Sequence, residues 1–138
     1  MSKLPDPVNP ARWPRPSGYS NAMVADLANR GKVITLAGQI GWDPHTRKLV
    51  SSDFVEQTRK ALENIIEILH ACGAGAEEIM RLTWFITDRR AYVERQQEIG
   101  DVYRKIMGKN FPAMSVVVVS ALVEEGALVE IEATAALP

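Results

Sequence analysis

Residues 53–72 carry the pattern that most restricts the fold of this 138-residue chain, because they form a long helix with one apolar face. Asp53 is a suitable N-cap with Glu56 three residues later, and Gly73 and Gly75 end the helix. The positions that recur at helical spacing are Phe54, Thr58, Leu62, Ile65, Ile66 and Leu69. Such a face must pack on a second layer, and the remaining segments supply that layer as strands.

β-rich segments lie on both sides of this helix and of a second one. A strand pair spans residues 21–42 with a turn at 29–32, and further strands lie at 79–87, 115–122 and 128–135. A second helix runs from its cap Asp88 to Gly108. The inner side of the second helix carries Tyr92, Ile99, Val102, Tyr103 and Ile106. The order β-β-α-β-α-β-β predicts an α+β two-layer domain of about five strands, with both helices on one face of the sheet.

Four consecutive valines at 116–119 indicate a strand that is buried on both faces. The two helices can cover only one face of the sheet. The other face therefore needs a cover from outside the chain, which favours an oligomer. A self-contained monomer is the alternative.

The composition is that of one globular domain, with 46% hydrophobic and 24% charged residues. A net charge of −1 disfavours nucleic acid as a partner. The single cysteine excludes an internal disulfide and fits a reducing, cytoplasmic location. No apolar run approaches the roughly 18 residues of a membrane span, so no membrane contact is expected.

The first 18 residues hold five of the eight prolines, which predicts an extended arm and leaves residues 19–138 for the domain. Trp13 favours an arm that docks on the protein, and an unstructured terminus is the alternative.

The chain shows no pattern for a metal or a cofactor. His70 and Cys72 lie two apart on a helix and do not share a face, and His45 stands alone in a turn. The glycines at 38 and 41 lack the spacing and the lysine of a phosphate-binding loop. We therefore predict neither a metal site nor a bound cofactor.

Glu130 and Glu132 lie two apart on the last strand, so their side chains share one face. They belong either to a solvated strand face or to an oligomer cleft, where a carboxylate could serve as a general acid or base. The alternation by itself leaves both interpretations open.

Five motifs together resemble the RidA/YjgF family over residues 16–136. They are S-G-Y-S-N-A at 17–22, L-A-G-Q-I at 36–40, E-Q-T-R-K-A-L-E-N at 56–64, F-P-A-M-S at 111–115 and V-E-I-E-A at 129–133. The resemblance implies a chorismate-mutase-like fold and a homotrimer with ligand clefts between subunits. It also implies hydrolysis of enamines and imines, such as 2-aminoacrylate, to a keto acid and ammonia. Other members are described as endoribonucleases or translation inhibitors.

The resemblance also implies roles for individual residues. Tyr19 matches the cleft tyrosine, Gly38 and Gln39 fall in the segment that lines the cleft, and Glu130 matches the carboxylate that activates water. Met114 stands where the archetype has an arginine that binds the substrate carboxylate. Three further family positions are changed: Ala37 replaces a serine, Val116 a cysteine and Gly100 an asparagine.

A thioether cannot form the two charge-assisted hydrogen bonds of a guanidinium to a carboxylate. Arg12 or Arg15 of the arm could replace the missing cation. We therefore expect a hydrolase or deaminase-like protein that acts on a small reactive metabolite other than 2-aminoacrylate. The alternatives are a regulatory trimer that binds a small ligand without turnover and, third, an endoribonuclease or translation inhibitor.

Overall fold

The computed structural model describes residues 4–28 and 31–138. The strands are β1 (Asp6–Val8), β2 (Ala22–Val24), β3 (Lys32–Ile40), β4 (Trp42–Asp43), β5 (Lys48–Leu49), β6 (Ile79–Ile86), β7 (Ala113–Val118) and β8 (Val129–Leu137). The helices are α1 (Phe54–Ala71), α2 (Arg89–Glu94) and α3 (Gln96–Met107). None of these helices is long and apolar enough to cross a membrane.

The main sheet has four strands in the order β3-β8-β6-β7, one fewer than the sequence suggested. β8 is antiparallel to both of its neighbours, whereas β6 and β7 are parallel. Parallel neighbours need a long crossover, and α2 and α3 supply it. The predicted α+β class is therefore confirmed.

α1 covers the sheet at β3 and β8, with α3 packed beside it. The predicted helix is confirmed, because Asp53 Oδ2 accepts a hydrogen bond from the Glu56 amide at 3.1 Å and the helix ends at Ala71. Leu62, Ile65 and Leu69 of this helix have no exposed surface. Burial of each side chain of this size stabilises the packing of the helix layer on the sheet by about 1.5–3 kcal/mol.

The opposite face of the sheet is uncovered in a single chain. On β8 the odd-numbered residues from Val129 to Ala135 are buried, while Glu130, Glu132 and Thr134 lie on the uncovered side, as the alternation predicted. The valines of β7 are not buried on both faces: Val117 is 41% and Val118 53% exposed. β7 is shorter than predicted and is the edge strand of the sheet.

Two predictions of local structure were wrong. The second helix is interrupted at Arg95, whose φ of −114° and ψ of 25° separate α2 from α3. The strand at Ala22–Val24 pairs with Asp6–Val8 of the arm and not with β3. Both strands of this small sheet are edge strands, and an edge strand can contain a proline. Of the turn predicted at 29–32, residues 29 and 30 lie outside the described part of the chain.

An ion pair joins the start of α1 to the junction between α2 and α3. Arg95 Nη1 lies 2.5 Å from Asp53 Oδ1, and this guanidinium, together with the Glu56 amide, lowers the pKa of the Asp53 carboxyl. A carboxyl whose pKa is lowered by folding stabilises the fold above its unfolded pKa of about 4 and loses that contribution as pH falls through the folded value.

We therefore expect Asp53→Ala to lower the free energy of unfolding by about 1–2 kcal/mol at pH 7, since it removes both the cap and the ion pair. Asp53→Asn keeps a good cap and should lose less. Urea titrations at equal protein concentration would measure both variants. The deficit should shrink as the pH falls below the ordinary carboxyl range and the Asp53 carboxyl, whose pKa is lowered, becomes protonated. A deficit that is independent of pH would contradict the role of the charge.

Candidate functional site

The segment that carries Tyr19 is fixed to the start of β7. Ser20 Oγ donates to the Phe111 carbonyl at 2.6 Å, and the Ser20 amide donates to the Pro112 carbonyl at 3.0 Å. Ser20 also forms a parallel bridge with Ala113. These bonds hold residues 17–20 beside β7 and leave the Tyr19 side chain 43% exposed.

Met114 lies in a cavity of about 310 Å³ between α3 and the sheet. Its walls include Gly18, Trp84, Gly100, Arg104 and Phe111. A neighbouring cavity of about 510 Å³ contains Tyr19 and shares Gly18, Arg104 and Phe111 with the first. The two cavities are therefore adjacent, with Met114 in the wall of the first and Tyr19 in the wall of the second.

Gly38, Gln39 and Glu130 form a second group at a bulge in β3. Leu36 pairs with Ala133 and Gln39 with Ile131, so the two residues between them face a single residue of β8. A Cβ at Gly38 would lie 2.7 Å from both Cδ and Oε2 of Glu130. A larger residue at position 38 would make the Glu130 side chain move, so in this structure the Glu130 carboxylate lies beside the backbone of Gly38. The side chain of Gln39 turns toward its own strand, where its Nε2 donates a hydrogen bond to the Ala37 carbonyl at 3.1 Å.

A single chain does not bring these two groups together. β3 and β7 are the opposite edges of the four-stranded sheet, which places them about 14 Å apart at about 4.8 Å per strand. Met114 packs against the core on the helix side, whereas Glu130 lies on the uncovered side. The predicted site residues therefore form two half-sites.

Arg104 is a residue that the sequence analysis missed. It lines both cavities, whereas Arg15 lines only the second one. A Cβ at Gly100 would lie 3.2 Å from Arg104 Nη1, so the guanidinium lies over the glycine one helical turn away. The signal was present in the sequence: Gly100 departs from the family pattern, and its i+4 neighbour on a helix is an arginine.

The tyrosines of the cavity stay neutral. Burial raises the pKa of Tyr103, whose hydroxyl donates to the Asn110 carbonyl at 2.5 Å, and burial also raises the pKa of Tyr92. They therefore offer hydroxyl groups and aromatic surface but no negative charge. In residues 4–28 and 31–138, no group of three His, Cys, Asp or Glu side chains is placed to hold a metal ion.

Comparison with known proteins places residues 14–137 in a family described as endoribonuclease L-PSP. A RutC family protein of Pyrococcus horikoshii is 37% identical over 123 residues, covering 88% of this chain and 90% of the relative. The human 2-iminobutanoate/2-iminopropanoate deaminase is 33% identical over 129 residues, covering 93% and 87%. The crystal structure of a Rid-family protein of unknown function from Yersinia pestis superimposes with a TM-score of 0.82 at 29% identity, covering 96% of this chain and 98% of that one.

Proposed function

Because the chain belongs to the RidA/YjgF family, we propose that it hydrolyses a small imine or enamine to a carbonyl compound and ammonia. The human relative is named as a deaminase of 2-iminobutanoate and 2-iminopropanoate. The substrate proposed here is a different one from 2-aminoacrylate, since Met114 occupies the place of the family's carboxylate-binding arginine. Tyr19 orients the ligand, Met114 shapes its apolar side, and Glu130 handles the water.

The observation that carries this proposal is the contact between Glu130 and Gly38. The Glu130 carboxylate lies beside the Gly38 backbone at a strand bulge, and bulges are frequent beside active sites. Glu132 lies on the same face two residues away, and the family resemblance singles out Glu130. Glu130 is therefore the carboxylate that we assign to the reaction.

The chemistry needs one general base that also returns a proton. A water molecule adds to the imine carbon while Glu130 accepts its proton and passes it to the imine nitrogen, and this forms a tetrahedral carbinolamine. Glu130 then accepts the hydroxyl proton of the carbinolamine and delivers it to the nitrogen, so that the C–N bond breaks and ammonia leaves as the carbonyl forms. Proton transfer of this kind contributes about 10²–10⁴-fold to a rate.

We also propose that the protein works as a homotrimer with its active clefts between subunits. The two half-sites lie on opposite sides of one sheet, so a second copy has to bring its Glu130 half to the Met114 half. The uncovered sheet face supports this arrangement, since it exposes Val33 and Val117 beside charged and polar side chains. These exposed valines lie on the two edge strands of the sheet, where a second copy would cover them.

Val117→Asp is therefore expected to dissociate the oligomer or to make it insoluble, because a buried unpaired charge is costly. Val117 is in register with Phe85, which in turn pairs with Glu130, so it lies on the uncovered side. Val118→Asp is the matched control, since Val118 pairs with Ile86, whose side chain is buried in the core. Light scattering at micromolar concentration would measure the mass. A stable monomer of the unmodified protein would refute the trimer.

The function itself is tested by generating imines from several amino acids with an amino-acid oxidase and following the rate at which each imine disappears. Acceleration of at least one imine over the buffer rate supports the proposal. Ligand binding without acceleration of any imine favours the non-catalytic binding protein instead.

A further inference from the structure

The proline-rich arm forms one wall of the cavity of about 510 Å³ that contains Tyr19. Pro7, Asn9 and Pro16 of the arm line this cavity on one side, and Phe111 lines it from the domain. The cavity is therefore enclosed only while the arm lies on the domain.

Asn9 holds the part of the arm that lies beyond β1. Its Oδ1 accepts two hydrogen bonds from Asn21, one from the backbone amide at 2.8 Å and one from Nδ2 at 3.0 Å. The pairing of β1 with β2 covers three residues, and the two strands form a sheet of their own. Such a short pair is marginal by itself, so loss of the Asn9 side chain should release the arm from the cavity.

The surface of this cavity combines rings with positive charge. Pro16, Tyr19 and Phe111 offer apolar and aromatic surface, and Arg15 and Lys109 bring cations. Within residues 4–28 and 31–138, neither of these two cations makes an ion pair. An aromatic ring packs well on such rings, and its face also attracts a cation. An alkyl group of the same size gains only the packing.

The cavity of Tyr19 is open toward the cavity of Met114 at Gly18, which lines both. Gly18 has a φ of 77°, and a Cβ at this position would meet no atom within 4 Å. A ligand whose reacting carbon lies in the cavity of Met114 can therefore extend past Gly18 toward the arm.

We propose that the cavity between the arm and the domain binds an aromatic substituent of the imine, with the arm as its specificity-determining wall and Asn9 as the positioning residue of that wall. This inference rests on the proposed function, because it names the substrate class of the same site. The substituent points away from the reacting carbon, so its recognition is separate from the chemistry at Glu130.

The test compares three 2-oxo acids that share one carboxylate and differ in their substituent. Phenylpyruvate carries an aromatic ring, 3-cyclohexylpyruvate a saturated ring of similar size, and 2-oxobutanoate an ethyl group. Titration calorimetry on the full chain should give phenylpyruvate an affinity about tenfold or more above that of 2-oxobutanoate. It should exceed that of 3-cyclohexylpyruvate by about threefold, and Arg15→Gln should remove this second difference.

Asn9→Ala should weaken phenylpyruvate by about fivefold or more and leave 2-oxobutanoate within about twofold, because only the ring reaches the arm. Hydrogen exchange at the Asn21 amide, which donates to Asn9 Oδ1, should become faster and so report release of the arm. Asp26→Ala is the control, since its Oδ1 accepts from the Ala28 amide at 2.9 Å and it lines neither cavity.

Faster exchange at Asn21 with an unchanged affinity for phenylpyruvate would overturn this inference, and so would equal affinities of the unmodified protein for the three acids or an absence of binding at millimolar concentration. An unchanged exchange rate would overturn the assignment of Asn9. Selective binding of phenylpyruvate without acceleration of any imine keeps the inference and removes the proposed hydrolase. Turnover of imines with no preference for the aromatic one does the reverse.

Discussion

Glu130→Gln is expected to lower the turnover of any accepted imine by about 10²–10⁴-fold. Glutamine keeps the size of the side chain and one acceptor oxygen, but it cannot take the proton from water. Glutamine can keep the place of the glutamate beside Gly38, so the substitution should change the chemistry and not the position of the group. Rates of imine disappearance at equal protein concentration would measure the loss.

Glu132→Gln provides the matched comparison. Both glutamates point to the uncovered side of β8, and Glu132 lies in a separate depression with Thr35, Arg81 and Thr83. Its loss should therefore cost much less. Equal losses in both variants would mean that the pair acts together, and an unchanged rate in Glu130→Gln would favour the binding protein without turnover.

The choice between these two glutamates shows where sequence reasoning reaches its limit. Alternation places both side chains on the same face, because the period of a strand is two. Only the resemblance to the family singled out Glu130. The position of Gly38 beside Glu130 could not be predicted from the sequence, since it depends on a bulge in β3, and a bulge is set by the pairing of two distant segments.

Local signals predicted α1 well, because the cap at Asp53 and the stop at Gly73 act on their own helix. The break at Arg95 and the pairing of β1 with β2 were not predictable in this way. The break coincides with an ion pair to Asp53, 42 residues away, and the β1–β2 pair depends on where the arm returns to the domain. The same holds for the place of Arg104 in a cavity wall, because segments far apart in the sequence enclose that cavity.

The imine of 2-aminoacrylate is expected to be turned over two to four orders of magnitude more slowly than by a relative with arginine in the place of Met114. Two charge-assisted hydrogen bonds to the carboxylate, each of about 1.5–3 kcal/mol, are missing at that place. At 1.36 kcal/mol for each factor of ten, their loss has this effect on kcat/KM. Arg104 also lines the cavity of Met114, but its guanidinium is paired with Asp101 at 2.6 Å.

Met114→Arg should therefore raise the turnover of this imine by about 10²-fold or more. Met114→Lys is the control, since it supplies the charge without the planar pair of donors and should give a smaller gain. The assay is the disappearance of 2-aminoacrylate generated in situ. High turnover by the unmodified protein would show that another cation already holds this carboxylate, and Arg104→Gln, Arg15→Gln and Arg12→Gln would then identify it.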